Sequence, residues 1–483
     1  MIKINFFNKI NLPIKINLQK YIAIIYNIRI AAIASLGGFL FGFDIAAVNG
    51  AIVAVQNKFG VEISGMWLSV SPTLIGAAAG AFAGGLLAER FGQKLCMIFA
   101  AALFFASGFA TGNHFAMHDF IFWRVICGLA IGMANVVIPR YIAETAPSNF
   151  RGRLGSFQQL AIVLGILAGM LINLFLVKIS GSAQNILWFG FETWRWMFWM
   201  ECIPAIFYGI FVLNLPESPR FLVAKERIDD AKKVLEKLLD KTKIDEKIND
   251  IRKTIASGTS INIINLYSKT SRGKTRLYPA VIAGLLIAIL QQFSGINVIF
   301  YYGNALWQSV GIKENHSLLI GIIISAVNVL TTIVAIFLID KKGRKPLLLI
   351  GSAGIFVAWI TMSLIFGSAQ TDVNTNPVLH GVPAILAIIS TIICVIFFSI
   401  SWGPVVWVML GEMFNNKIRG AALSLAGLLQ WLANLTLCTT YPPLVKAFGF
   451  GGVYGIYAFF ALFGFFFVLG KVQETVGKEL EEM

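Results

Sequence analysis

The chain has 483 residues, of which 57% are hydrophobic and 13% charged, with a formal net charge of +15. A soluble globular chain carries about 25% charged residues, and many apolar runs here reach the roughly 20 residues that cross a bilayer. The composition therefore excludes an ordinary soluble domain. It also excludes a transmembrane barrel, which needs alternating strands of about ten residues. A nucleic-acid-binding role is excluded too, because the basic residues sit mostly in loops between apolar runs.

In chain order, residues 1–28 are rich in Lys, Asn and Ile, with no small-residue cleavage site after a compact apolar core. They read as a cytoplasmic tail and not as a signal peptide. Twelve apolar spans follow, at 29–54, 65–88, 95–113, 120–141, 155–178, 194–214, 279–308, 317–339, 345–367, 382–410, 419–443 and 452–471. The predicted fold is an all-α polytopic membrane protein with two six-helix halves, 29–214 and 278–471. Between them, residues 215–277 are polar, and "IDDAKKVLEKLLDKTKIDEKINDIRKTI" has helical periodicity with mixed charge, which predicts a few short helices in a cytoplasmic linker domain. Residues 472–483 form a second tail. Cys96, Cys127, Cys202, Cys394 and Cys438 are scattered singly in or beside apolar runs. Neither a metal site nor a disulfide framework is indicated, and packing is their expected role.

The loops "ERFGQK", "FRGR", "DKKGRK" and "NKIRG" are basic and fall on one side, while residues 95–123 contain no Lys or Arg. The Lys/Arg bias of short loops places the basic side, and with it both termini, in the cytoplasm. An internal repeat is visible as well. "GLLAERFGQK" resembles "AIFLIDKKGRK", with Glu89 matching Asp340 and Gly92 matching Gly343. Glu144 and Arg151 are seven apart, as are Glu412 and Arg419. Parallel halves of this kind are a transporter architecture, with the substrate site between them near the midplane.

Asp44, in "GGFLFGFDIAAVNG", is the sharpest anomaly. A carboxylate inside a span is costly and is by default a functional hypothesis with a named partner. The partner on offer is Arg124, in "FIFWRVICGLAIG". Counted from their span ends at about 1.5 Å per residue, the two depths differ by roughly 9 Å, which a long Arg side chain largely covers. Position alone leaves open a static buried ion pair or a proton carrier.

The motifs "ERFGQK", "RYIAETAPSNFRGR", "PESPR", "QQFSGINVIFYY", "DKKGRKP", "SWGPVVWVMLGEMF", "IRGAALS" and "QWLAN" stand in order over residues 30–482. On these the chain resembles the sugar porter branch of the major facilitator superfamily. It is most similar there to bacterial xylose–proton symporters and also similar to animal glucose facilitators. The resemblance implies a monosaccharide transporter of the bacterial inner membrane that works by alternating access. It implies no enzyme activity, no metal, and no cofactor beyond the proton as coupling ion. Monosaccharide, proton and lipid bilayer are then the partners, and the chain is a functional monomer. A sugar needs amides that donate and accept, and aromatic faces for its C–H surfaces. The resemblance assigns these roles to Gln159, Gln291, Gln292, Asn297, Asn328, Gln430, Trp407, Trp431 and Phe41, with Gly295 loosening span seven. An interhelical hydrogen bond is the other use of a lone span amide. The resemblance further makes Asp44 and Arg124 the proton-coupling pair, because proton-coupled members carry an acid there. Tyr301 and Tyr302 become the outer gate. Glu89, Arg90, Glu144, Arg151, Arg153, Asp340, Arg344, Glu412 and Arg419 become salt bridges of the cytoplasmic gate.

Several residues depart from the family pattern. Gln93 replaces an Arg and Glu89 an Asp, which suggests a looser lock in the first half. Ile166 replaces a Gln of xylose-type members, which weakens the case for xylose. Arg140 is an unusual charge, Gln473 stands in place of Pro, and Glu201 is a second span acid expected to pair locally with Arg195. Two alternatives to proton symport are a uniporter for the same sugars and a sugar sensor with a transporter fold. The sugar itself is not fixed by these residues.

Overall fold

The computed structural model describes residues 18–474 apart from 63–64, 114–115, 147–150, 239–243, 257–265, 270–274, 372–376, 380 and 415–417. Most of both expected tails, and the side chains of Arg151, Arg153, Asp340 and Arg419, lie outside the described residues.

In the first half, α1 (Leu18–Phe59), α2 (Trp67–Phe91), α3 (Gln93–Asn113), α4 (Met117–Thr145) and α5 (Arg151–Ser180) each cross in one piece. The sixth pass is divided into α6 (Thr193–Trp199) and α7 (Cys202–Leu213). Three short helices follow: α8 (Pro219–Ala224), α9 (Ile228–Leu238) and α10 (Ile244–Ala256). They enclose a small core of Leu222, Val223, Ala231, Leu235, Ile244 and Ile248, as the periodicity of this polar stretch predicts. A two-stranded antiparallel hairpin, β1 (Tyr267–Lys269) with β2 (Thr275–Leu277), leads into the second half.

There the seventh pass is α11 (Pro279–Phe293) plus α12 (Ile296–Ser309), followed by α13 (Glu314–Lys342) and α14 (Arg344–Gly367). A short hairpin, β3 (Gln370–Thr371) with β4 (Pro377–Val378), precedes the tenth pass, which is α15 (Val382–Ile400) plus α16 (Pro404–Met413). The last helix, α17 (Arg419–Lys471), contains Gly449 at φ 66°, ψ 172°, a non-helical residue that separates the eleventh pass from the twelfth. Among the described residues, eleven helical segments are long and apolar enough to cross a membrane, and the break at Gly449 makes the last of them two. The twelve-pass expectation is met. The seventh pass breaks at the expected residue, with Gly295 left-handed at φ 82°. The interruptions of the sixth and tenth passes were not expected, because hydropathy summed over a window does not register two or three residues; at the sixth, Met200 and Glu201 keep right-handed helical dihedrals.

Close packing in the first half rests on small residues. A Cβ on Gly76 or Gly80 of α2 would come within 2.3 Å of α4 backbone oxygens, and one on Gly128 or Gly132 of α4 within 2.0 Å of α2 oxygens. Lipid supplies no hydrophobic drive between helices, so backbone approach of this kind is what holds them.

The repeat in sequence is also a repeat in structure. Glu217, just after α7, accepts hydrogen bonds from the Gln93 and Lys94 N–H groups at 3.0 and 3.3 Å. Glu474, just after α17, accepts from the Arg344 and Lys345 N–H groups at 3.1 and 3.0 Å. Each carboxylate thus satisfies orphan donors at the positive end of the third helix of its half. Each sits against a positive-φ glycine: Gly92 at φ 99° and Gly343 at φ 89°. A Cβ on Gly92 would fall 2.3 Å from Glu217 Oε2.

On the face opposite the basic loops, Glu192 precedes α6. Its carboxylate takes hydrogen bonds from Lys58 Nζ and from Arg195 Nε. Arg195 also donates to the Gly112 carbonyl at 2.8 Å and lies over the Trp194 ring at 4.6 Å. The expected Arg195–Glu201 pair is therefore corrected: Arg195 pairs with the acid three residues before it, the spacing that brings side chains together at a helix start. Burial raises the Glu192 carboxyl, and the hydrogen bonds from Lys58 and Arg195 outweigh that, holding it at about 2 against an ordinary 4.5.

The glycine-capped helix end and the Glu192 cluster can each be tested. Gly92→Ala should lower the apparent melting temperature of the purified protein, through left-handed strain of about 1–3 kcal/mol plus the clash with Glu217. Gly85→Ala, which meets no heavy atom within 4 Å, should leave it within about a degree or raise it; light-scattering melts compare the two. A carboxyl depressed on folding contributes stability above its unfolded value and loses it as pH falls. Wild type should therefore outlast Glu192→Gln above pH 4.5, and the gap should close as pH drops from 4.5 towards 2. Folded fraction by size exclusion across that range is the check.

Candidate functional site

A cavity of about 130 Å³ lies between the halves. All nine residues expected at a sugar site line it: Phe41, Gln159, Gln291, Gln292, Asn297, Asn328, Trp407, Gln430 and Trp431. The amides of Gln291, Gln292, Asn297 and Gln430 are engaged with one another, with Asn434 or with loose backbone. Gln291 Nε2 donates to the Trp402 and Gly403 carbonyls at 2.7 and 3.2 Å, in the break of the tenth pass. Gln430 Nε2 donates to Gln291 Oε1. Asn297 Nδ2 donates to Gln292 Oε1 at 2.7 Å and to Asn434 Oδ1 at 2.9 Å. Asn328 Oδ1 accepts from Ser399 at 2.7 Å. Aromatic faces from the two halves approach across the cavity, with Phe41 and Trp431 centroids 6.0 Å apart.

Sequence reasoning missed Asn135 and Asn434, which also line the cavity. The signal was present for both. Asn434 is one helical turn after Gln430, and Asn135 is three turns after Arg124 on the same helix face. Ile166 lines the cavity as an apolar wall.

Asp44 and Arg124 meet directly. They form a bidentate pair, with Arg124 Nη2 to Asp44 Oδ2 at 2.8 Å and Nη1 to Oδ1 as the second contact. Both are sealed from solvent, at 0% and 1% exposure. Cys127 Sγ lies 3.4 Å from Asp44 Oδ1. Glu201 is fully buried at the break of the sixth pass, and neither of its oxygens has a hydrogen-bond partner among the described residues. The acid and thiol atoms of Asp44, Cys127 and Glu201 lie within 4.8 Å of one another. Two buried carboxyls thus lie side by side, and Arg124 makes its ion pair with Asp44. Arg195, expected to hold Glu201, is turned the other way.

On the face opposite the basic loops the halves are stitched together. Asn49 Nδ2 donates to the Phe300 carbonyl at 2.7 Å, Ser71 and Thr439 hydroxyls lie 2.7 Å apart, Lys446 pairs with Glu62 at 3.2 Å, and Glu314 accepts from the Ala183 N–H at 3.1 Å. Tyr301 and Tyr302 are buried beneath these contacts, with Tyr302 donating to the Cys438 carbonyl at 2.9 Å.

On the basic-loop face, Arg140 holds Glu144 at 3.1 Å and Glu89 at 3.4 Å. Gln93 Nε2 donates to Glu144 Oε2 at 2.7 Å, and Ser218 donates to the same carboxylate. In the second half Arg344 holds Glu412 at 2.8 Å. Each of these contacts stays within one half. Arg90 is a correction: it makes no ion pair among the described residues and lies over the Phe91 ring at 5.3 Å. Arg140, noted only as an unusual charge, takes the central place in the first-half cluster. Gln93, expected to loosen that cluster, is hydrogen-bonded into it.

The profile of the sugar (and other) transporter family matches residues 30–483. The chain is 48% identical over 455 residues to the glucose transport protein of Synechocystis sp., covering 94% of this chain and 96% of that one. It is 32% identical over 492 residues to the D-xylose-proton symporter of Escherichia coli K12, covering 95% of each. Among solved structures it is similar to a partially occluded inward open conformation of the xylose transporter XylE from E. coli, with TM-score 0.80 and 31% identity over 94% of this chain and 100% of that one. It is also similar to the proton:xylose symporter XylE bound to 6-bromo-6-deoxy-D-glucose, with TM-score 0.77 and 32% identity over 95% and 98%. With its two six-helix halves and this match along nearly its whole length, the chain belongs to the sugar porter family of the major facilitator superfamily, whose members are transporters and not enzymes.

Proposed function

We propose that the chain imports a monosaccharide together with a proton by alternating access, with the cavity amides and aromatics as the sugar site and Asp44 as the proton carrier. The observation that carries this reading is the fully buried cluster of two carboxyls and one guanidinium. A charge in hydrocarbon must be compensated. With Asp44 ionised, Arg124 is held bidentately against it and α1 is fastened to α4. A proton on Asp44 removes that hold, and Glu201, whose carboxyl stands within 4.8 Å of the Asp44 carboxyl, keeps the guanidinium compensated. With both acids ionised the cluster carries one excess negative charge, and a proton on Asp44 cancels it while changing which helices are tied together.

The cross-half contacts near Tyr301 and Tyr302 support reading this state as closed to the outside. The basic loops then face the cytoplasm, in a bacterial inner membrane, with the monomer as the working unit. D-glucose is the first sugar to test. The glucose transport protein of Synechocystis sp. is 48% identical, and the apolar wall at Ile166 offers a sugar hydroxyl no partner.

The test measures external pH in lightly buffered, de-energised cells given D-glucose, D-xylose and D-galactose in turn. Alkalinisation with glucose, abolished in Asp44→Asn, is expected. In energised cells a proton crossing 100 mV supplies about 2.3 kcal/mol, enough for about a 50-fold sugar gradient, and Asp44→Asn should reduce this to simple equilibration. Labelled glucose equilibrating without any pH change in wild type would instead make the protein a uniporter.

A further inference from the structure

The proposed sugar amides sit on both sides of the break in the seventh pass: Gln291 and Gln292 end α11, and Asn297 begins α12. Their mutual register depends on how Ser294 and Gly295 are held. In a continuous helix the Val298 N–H would bond the Ser294 carbonyl. Here it bonds the Gly295 carbonyl instead, at 3.1 Å. The Ser294 carbonyl, thus released inside the protein, is taken up by the indole N–H of Trp359 from α14, at 2.7 Å. Trp359 is 1% exposed, stacks on Tyr454 at 5.0 Å and meets Tyr457 edge-on at 5.6 Å. The same two side chains, Trp359 and Tyr457, floor the left-handed glycine. A Cβ there would come 2.9 Å from Tyr457 and 3.0 Å from Trp359.

From this we infer that Trp359 is a positioning residue for the substrate site, clamping the break of the seventh pass so that Asn297 stands in register with Gln291 and Gln292. The inference rests on the sugar-site reading above. The clamp has two parts. The ring fills the space beside Gly295, and the N–H satisfies a buried carbonyl that the break has orphaned. Losing only the N–H leaves that carbonyl unsatisfied in the bound geometry, so the break relaxes to find another donor and carries Asn297 with it.

Trp359→Phe separates the two parts, because phenylalanine keeps most of the ring and drops the donor. Sugar affinity of purified wild type, Trp359→Phe, Asn297→Ala, Gln159→Ala and the two double variants that combine Trp359→Phe with each alanine is measured by titration calorimetry, with unliganded melting temperatures alongside. Trp359→Phe should weaken binding about five- to tenfold, the usual scale for one buried hydrogen bond. Its effect should be less than additive with Asn297→Ala, since the residue acts through that side chain, and additive with Gln159→Ala in the other half.

Wild-type affinity in Trp359→Phe overturns the inference. So does additivity with Asn297→Ala, or equal coupling to both partners, which would mark a general loss of packing. A lowered melting temperature leaves these criteria unchanged, because the cycle compares folded protein only. If wild type binds no monosaccharide, the sugar-site reading has failed instead, and the two failures are distinct.

Discussion

Neither Asp44 nor Arg124 would be tolerated alone where it lies, because an unpaired charge in a low-dielectric interior costs several kcal/mol. Each makes the other admissible, and the bidentate geometry fixes α1 against α4 at one depth and rotation. The glycine-mediated approach of α4 to α2 then carries this constraint through the first half. The pair is balanced, but the cluster is not. Glu201, at the junction of α6 and α7, brings a second buried acid within 4.8 Å of the Asp44 carboxyl.

The other broken passes follow the same logic of released backbone. A helix break frees carbonyls that must find donors, and this chain answers with side chains from neighbouring helices. The carbonyls of Trp402 and Gly403 in the tenth pass take the Gln291 amide, and that of Ser294 in the seventh takes the Trp359 indole. Irregular backbone at mid-membrane depth persists only where it lines a cavity or is buried in protein. Here the breaks in the seventh and tenth passes sit around one cavity, so the positions that cost the fold most are those that shape the proposed site.

Much of this is legible in the sequence. The passes follow from apolar length, the two halves from the spacing of Glu144 with Arg151 and of Glu412 with Arg419, and the cavity residues from amides stranded in apolar spans. What escapes are local rearrangements. Nearness in sequence pairs Glu201 with Arg195, but six residues is not a helical neighbour distance, and Arg195 is taken by Glu192 and the Gly112 carbonyl. Arg140 and Glu144 stand at the i, i+4 spacing that favours pairing. That contact is readable, but the family's paired motif points to Arg151 instead. The capping of α3 by Glu217 and of α14 by Glu474 is hidden for another reason. Each carboxylate comes from more than a hundred residues away in sequence, and only the folded half brings it to the helix end.

The cavity's amides are not idle without sugar. Gln430 holds Gln291, Gln291 holds the broken tenth pass, and Asn297 holds Gln292 and Asn434. A sugar hydroxyl that enters this network exchanges bonds rather than adding them, and an exchanged hydrogen bond is worth about 0.5–1.5 kcal/mol net, well below its strength in isolation. On the proposed reading, several such exchanges, with burial of the ring against Phe41, Trp407 and Trp431, would give selectivity for a polyhydroxylated ligand without extreme affinity. A transporter needs that compromise, because every kilocalorie invested in holding the sugar at the midplane must be overcome before it leaves on the other side. In the proposed cycle the self-bonded amides hold the site together as it changes face, and they also limit how tightly it grips a sugar.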